Sequence, residues 1–241
     1  MVSQLQTQTQ PEVIYPDSDG KPMANNTKQF RQIVALKENL EWLYADEPNV
    51  FIAGDLFWYP IEGSNTVVNA PDVMVVFGRP KGDRLSYKQW EEGDIAPQVV
   101  FEILSPSNSQ KEMDRKLLFY DRHGVEEYYI YNPDNNQLLG WLRNEYGLDA
   151  IESMVNWVSP RLGIRFELSE DSLQFYRPDG TRFFSDFEIR QLLEQREQQL
   201  EQKEQQLEQK EQELEQERQR TKEMEDLLKQ YRDRFGELPN S

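Results

Sequence analysis

The sequence predicts a mixed α/β (α+β) domain, with a mixed sheet flanked by helices, followed by one long C-terminal helix with coiled-coil spacing. Three observations carry this expectation. Residues 28–46 place apolar side chains at helical spacing. Short apolar runs such as Val73–Phe77 and Gln98–Leu104 have the length and composition of buried strands. From residue 186 to 234 there is no Gly or Pro, and a leucine recurs every seven residues.

Taken in order, residues 1–27 are polar and broken by Pro11, Pro16, Gly20 and Pro22, which predicts a flexible N-terminal arm. The helix over 28–46 carries Phe30, Ile33, Val34, Leu40, Leu43 and Tyr44 at helical spacing. Strands are expected around 50–53, 55–60, 66–69, Val73–Phe77 and Gln98–Leu104. Ser109-Gln110-Lys111-Glu112 fits a capping box that opens a helix running to His123, with Gly124 as its C′ residue. A strand at Glu127–Tyr131, a turn at Pro133–Asn136 and a returning strand at Gln137–Arg143 follow, with further strands around 149–153 and 163–168. The organisation expected is an arm (1–27), a folded domain (28–180), a long charged helix (186–234) and a disordered end (235–241).

The helix repeats Leu193, Leu200, Leu207, Leu214 and, after Thr221, Leu228. If these are a positions, d reads Arg196, Lys203, Lys210 and Glu217; if they are d, a reads Glu197, Glu204, Glu211 and Arg218. One core position per heptad is apolar, so two readings stand. One is a weak dimerisation helix that would make the chain a homodimer; the other is a solvated helix held by i,i+4 Glu–Lys pairs.

The chain carries 27 Lys+Arg against 44 Asp+Glu, a formal net charge of −17. Residues 181–241 hold 11 basic and 16 acidic residues, leaving 16 and 28 for residues 1–180. The folded domain is itself acidic, which argues against broad, sequence-blind nucleic-acid binding. With no Cys and only His123, disulfides, zinc ribbons, thiol catalysis and multi-His metal sites are excluded. MVSQLQTQTQ has neither a positive n-region nor an apolar core, and no apolar run approaches the roughly 18 residues of a membrane span; a cytoplasmic protein is expected.

Glu102 is the odd residue, an acid inside the apolar run PQVVFEILSPS, where it needs a cation or hydrogen bonds for compensation. Asp72, in APDVMVVFG, stands at the mouth of another apolar strand. Two acids on adjacent strand ends can share one hard divalent cation such as Mg²⁺. Alternatively, Glu102 is a structural ion-paired acid and Asp72 a turn residue. On the 109–123 helix, Met113, Lys116, Leu117 and Tyr120 share one face, whereas Lys111 lies round the helix with Arg115 and Leu118. An inward Lys116 could orient a water or neutralise a phosphate oxygen, and an outward one could pair with Glu112. Arg79, Lys81, Arg84 and Lys88 form a basic cluster that fits either phosphate contact or a surface loop. His123 reads as a helix-end residue favourable to the helix dipole.

In order, Pro71-Asp72, Glu102-Ile103-Leu104-Ser105-Pro106-Ser107, Asp114-x-Lys116-x-x-x-Tyr120 and Gly124-Val125-x-Glu127-Tyr128 resemble the Uma-type family of restriction-endonuclease-like proteins. That family is abundant in cyanobacteria and lies within the PD-(D/E)XK phosphodiesterase superfamily; the resemblance covers roughly residues 28–170. It implies a restriction-endonuclease-like fold and Mg²⁺-dependent hydrolysis of nucleic acid, DNA foremost, with Mn²⁺ as a substitute. Carried over, Asp72 and Glu102 are the metal-holding acids, with the Ile103 carbonyl as a further ligand. The motif lysine should fall at 104, where this chain has Leu104, and similar families supply it from the following helix, here Lys116, with Tyr120 in support. Glu41 is where the superfamily often has an extra metal-associated acid; seven residues from Val34 it could face inward, and the alternative, the stronger of the two, is a solvated acid. The departure at Leu104 leaves a second reading, a non-catalytic nuclease-like scaffold that oligomerises through its C-terminal helix.

Overall fold

The computed structural model describes residues 13–18, 20, 24, 26–170 and 172–236. Residues 1–12 of the arm and 237–241 of the expected disordered end lie outside these described residues. The chain divides into two compact units, residues 1–185 and 186–241.

In the first unit, Asn26 caps helix α1 (Thr27–Leu43) by accepting from the Gln29 N–H at 2.8 Å. The strands follow as β1 (Val50–Ala53), β2 (Trp58–Tyr59), β3 (Val73–Phe77), β4 (Tyr87–Lys88) and β5 (Val99–Ile103). Helix α2 (Gln110–Arg122) leads into β6 (Glu127–Asn132), β7 (Gln137–Asn144), β8 (Gly147–Ala150), β9 (Arg165–Leu168) and β10 (Leu173–Tyr176). The main sheet has six strands in the order β1-β3-β5-β6-β7-β8. Only β5 and β6 run parallel, joined by α2, so the sheet is mixed as expected.

Strand alternation divides the core in two. Val73, Val75, Val99, Phe101, Ile103, Tyr129 and Tyr131 pack with Ile33, Leu36 and Leu40 of α1 and with the β9–β10 hairpin. Met74, Val76, Val100, Tyr128 and Ile130 pack on the other face with Met113 and Tyr120 of α2 and with Trp58 and Tyr87. Ser109 caps α2 by accepting from the Glu112 N–H, and Gly124 takes a φ of 88° just past its end. The capping box is half formed, because the Glu112 carboxylate accepts from Asn108 instead of reaching back.

Several expectations change. The strand around 66–69 is reduced to a single bridge between Trp58 and Asn69, while β4, a 3-10 turn over Gln89–Glu92 and β10 are additional. The described part of the arm is docked. Tyr15 packs against Tyr59 and Trp90 with centroids 5.2 and 5.1 Å away, and its hydroxyl accepts from the Gly63 N–H at 2.6 Å. The Tyr59 hydroxyl donates to the Pro16 carbonyl at 2.6 Å, and Asn65 donates to the Ile14 carbonyl at 2.9 Å. One aromatic ring thus fixes a segment whose composition predicts flexibility.

The second unit is helix α3, Asp186–Phe235, whose heptad leucines are exposed. No described helix is long and apolar enough to cross a membrane.

Candidate active site

The register of β3 on β5 pairs Val73 with Phe101. One step further, Asp72 and Glu102 stand opposite each other at the end of both strands. Cross-strand neighbours share a face, and this face is the one covered by α2. Asp72 is 9% exposed and Glu102 2%. The Asp72 Oδ2 accepts the Ile103 N–H at 2.6 Å, which fixes the carboxylate against the adjoining strand. Its other oxygen carries no hydrogen bond among the described residues.

Glu102 is held from α2. Lys116 Nζ donates to Glu102 Oε2 at 2.7 Å and the Tyr120 hydroxyl to Oε1 at 2.5 Å. The helix face expected from spacing is the one used: Met113 and Tyr120 are buried, Lys116 and Leu117 half-buried, and Lys111, Arg115 and Leu118 exposed. The Lys116 ammonium has three donors, of which this ion pair uses one. Tyr120 in turn stacks parallel to Trp58 at 6.3 Å, so β2 braces the side chain that braces Glu102.

Burial and then the neighbouring Glu102 charge push the Asp72 carboxyl well above its usual range, against Lys116 and the Ile103 N–H, which lower it. Burial disfavours the Lys116 charge, yet the combined attraction of Glu102 and Asp72 outweighs this and raises its pKa. Burial, then Glu102, drives Tyr120 well above its usual value, so it is a donor here and not a phenolate. The Tyr128 hydroxyl, fully buried on the same face, has no hydrogen-bond partner among the described residues and is raised well above its usual value by burial and by Glu102, Asp72 and Glu112.

Asp72, Glu102 and Lys116 open into a cavity of about 550 Å³. Asp17, Asp55, Asp72, Glu102 and Glu112 contribute carboxylates to its lining, and among the described residues Lys116 contributes the one cation. The arm supplies a wall through Pro16, Asp17 and Ser18, and α1 supplies Gln29. Gln29 is buried and donates from Nε2 to the Ile103 carbonyl at 2.7 Å. Among the described residues no group of three or more acidic, His or Cys side chains is close enough to hold a metal; the two acids here are the pair from β3 and β5.

Not every residue singled out in the sequence reaches this cavity. Glu41 does not: it is exposed and pairs with Lys37 at 2.7 Å, on the side of α1 facing Val50–Gly54. Val34, from which its inward phase is counted, is itself only half-buried. The buried residues of α1 are Gln29, Ile33, Leu36, Asn39 and Leu40, and Gln29 is, with Asp17 and Asp55, among the site-lining residues that sequence reasoning missed. A polar side chain in phase with those three apolar ones is the signal that finds it.

Glu127 is on the opposite face of the sheet from Glu102 and accepts from the Tyr129 hydroxyl, the Arg161 N–H and the Ser159 hydroxyl. The basic cluster is consumed internally: Arg79 and Arg84 both pair with Glu92, Lys88 pairs with Glu91, and Lys81 donates to the Tyr44 and Ala45 carbonyls. His123 packs against Trp58 and Phe119, and burial with the Arg122 charge lowers its pKa, so the helix end is not served by an imidazolium.

One family model matches most of the chain. Residues 4–175 match the family model Uma2, described as "Putative restriction endonuclease". Among solved structures the chain is similar to a putative nuclease belonging to DUF820 from Anabaena variabilis ATCC 29413. The identity is 17%, covering 58% of this chain and 74% of that one, with a TM-score of 0.43. No curated protein matches the chain. The family match spans well over half the sequence and contains both carboxylates and the lysine that pairs with one of them, and the chain therefore belongs to the Uma2 putative restriction endonuclease family.

Proposed function

We propose that this chain is a metal-dependent endonuclease that hydrolyses phosphodiester bonds of nucleic acid, DNA foremost, with Mg²⁺ as the ion and Mn²⁺ as a substitute. The observation that carries the reading is the Lys116–Glu102 contact at 2.7 Å. It sets a lysine beside the buried acid although position 104, where the superfamily motif has its lysine, is Leu104. Family membership supports the reading.

The donor set fits a hard cation. Mg²⁺ is ordinarily held by one or two carboxylates and keeps several waters. Asp72 retains an oxygen free of hydrogen bonds among the described residues, and each Glu102 oxygen keeps a second lone-pair site beyond its one bond. Asp72, Glu102 and the Ile103 carbonyl would hold the ion. When bound, it supplies a water of lowered pKa and neutralises charge on the phosphate.

The remaining work belongs to the chain. The Ile103 N–H fixes Asp72, Tyr120 fixes Glu102, and Lys116 brings its unused donors to a phosphate oxygen or to the attacking water. A cysteine-free chain with no described membrane-crossing helix fits a cytoplasmic setting for this activity.

The test is cleavage of supercoiled plasmid and of single-stranded RNA with Mg²⁺ or Mn²⁺, comparing the wild type with Glu102→Ala purified in parallel. Cleavage that disappears in the variant supports the proposal, and equal cleavage in both removes it. One observation favours a second reading, a non-catalytic nuclease-like scaffold. Five acids and one lysine line the cavity, a field that repels a polyanion. Calorimetry separates the two: a Mn²⁺ signal lost in Asp72→Ala supports the enzyme, and no signal in either protein supports the scaffold.

A further inference from the structure

Helix α3 spans 50 residues, about 75 Å at 1.5 Å per residue. Leu193, Leu200, Leu207, Leu214 and Leu228 are 44–61% exposed, a long apolar stripe with no partner in the chain's own described contacts. With these leucines at a, the d positions at the two ends are apolar as well: Ile189 at the start, Met224 and Tyr231 at the finish. The alternative phase puts Arg190 and Glu225 there instead. The ends therefore favour the leucines as a positions, although only the last heptad, Leu228 with Tyr231, has both core positions apolar, since Asp186 and Thr221 hold a beside Ile189 and Met224.

The middle of the helix supplies the second observation. There each charged d residue is followed by an e residue of opposite sign: Arg196-Glu197, Lys203-Glu204, Lys210-Glu211 and Glu217-Arg218. At the last pair both signs reverse together. Residues i and i+1 do not face each other on one helix, so the correlation has no use within a single chain. Arg196 and Lys203 have only Leu and Gln three and four residues away on either side. Between residues 190 and 230 the one described side-chain hydrogen bond is from Thr221 to the Glu217 carbonyl. Arg196 and Lys203 therefore have no acid at pairing distance on their own helix, which favours a partner helix over a solvated one.

We propose that α3 pairs with α3 of a second copy of this chain as a parallel, in-register, two-stranded coiled coil in which each charged d residue is met by the e residue of the other copy. In a parallel pair each d side chain sits beside the same residue of the other copy and flanks the e position of that heptad, so the two Arg196 heads part towards the Glu197 side chains across the seam, and the two Glu217 heads towards Arg218. The long Arg and Lys stems cover the seam while their charged heads turn outward to these acids. Glu213 with Arg218, and Arg220 with Glu225, add attractive g–e′ pairs of the usual kind.

An antiparallel pair that overlaps along the full helix sets Glu217 against Glu197 or Glu204. Sliding it to relieve that repulsion leaves Met224, Leu228 and Tyr231 unpartnered. Thr221, the polar a residue, further penalises shifted registers. The parallel arrangement brings both copies out of the coil at residue 186 on the same end. With single leucine layers through the middle, the dimer is concentration-dependent.

The chain has no Cys, so an introduced one reports cleanly. Lys203→Cys and Met224→Cys, each made in the full chain and oxidised in a glutathione buffer, should each give a covalent dimer, and wild type should sediment as a concentration-dependent dimer. Arg218→Glu should weaken that dimer about tenfold or more, because its contacts with Glu217 and Glu213 of the second copy turn from attraction to repulsion on both sides of the seam. Glu217→Arg added to Arg218→Glu should recover part of that loss, because the contact of position 217 becomes attractive again while that of Glu213 stays repulsive. A wild-type monomer at every concentration overturns the proposal. So does cross-linking found only in a mixture of Ile189→Cys and Leu228→Cys chains, the antiparallel outcome, or an Arg218→Glu dimer as tight as wild type.

Discussion

Lys116 reaches back across 14 residues of sequence to within 2.7 Å of Glu102, from the second turn of one helix to a buried strand residue, and the two side chains are 16% and 3% exposed. An ion pair this enclosed is worth little relative to an apolar substitute, but removing one partner strands the other charge. Lys116→Met should therefore destabilise the metal-free protein by about 3 kcal/mol, towards the low end for a broken buried pair because Tyr120 still donates to Glu102. Adding Glu102→Gln removes the stranded charge and should return at least half of the loss. Urea unfolding of the two singles and the double at pH 7 checks this. A Lys116→Met protein as stable as wild type would mean that the pair is open to water in solution.

Asp72 sets stability against function. Burial and the Glu102 charge raise its carboxyl pKa, so the folded state binds this proton more tightly than the unfolded chain does. The favourable contribution is complete below the unfolded value of 3.8 and declines as pH rises towards the folded pKa. Asp72→Asn keeps an oxygen for the Ile103 N–H and has no charge to bury. With chelator present, its thermal midpoint should match wild type near pH 4 and exceed it by a few degrees at pH 8, while Mn²⁺ binding is lost. A variant less stable than wild type at pH 8 would show that the Asp72 charge is supported by Lys116 more than it is penalised by burial.

What the sequence makes legible is whatever local spacing controls. Ser109 and Gly124 bracket α2, and a 3.6-residue period gathers Met113, Lys116, Leu117 and Tyr120, so the helical half of the site is readable. The strand half is readable through Glu102, because an acid inside Val99–Leu104 demands compensation. Features held by tertiary contact are not. The two-residue strands β2 and β4 exist because Tyr87 donates to the Phe57 carbonyl and Trp58 is fully enclosed. The phase of α1 shows the same limit: Val34 and Ile33 are adjacent, and only packing decides which stripe is inward, carrying Gln29 to the cavity and Glu41 away from it.

Gln29 carries its own prediction. Its amide donates to the Ile103 carbonyl, the main-chain oxygen proposed to face the ion. Gln29→Leu removes the donor without opening a large void and leaves a buried carbonyl short of a partner, at a cost of about 1–2 kcal/mol. The carbonyl should also lose its fixed direction, so Mn²⁺ affinity measured by calorimetry should fall several-fold, while Gln29→Glu should tighten it by adding a carboxylate at the cavity wall. Unchanged affinity in both variants would place the Ile103 carbonyl outside the metal's reach.

The docked arm gives the last test. Tyr15 is held between Tyr59 and Trp90, with Lys88 5.5 Å above its ring, and the residues just after it form one wall of the acidic cavity. Aromatic pairs of this kind contribute about 0.5–1.5 kcal/mol each, comparable to the cost of ordering a few exposed residues, so a single truncation should release the segment while leaving the core folded. Tyr15→Ala should expose residues 13–18 to limited proteolysis and shift the global unfolding midpoint by less than about two degrees. It should also withdraw the Asp17 carboxylate from the cavity, so binding of a fluorescent single-stranded oligonucleotide in Ca²⁺ should strengthen, most of all at low salt, where unscreened repulsion is largest. Weaker binding would instead assign Tyr15–Ser18 to the substrate-contacting surface, and equal proteolysis in wild type and variant would show that the arm is not docked in solution.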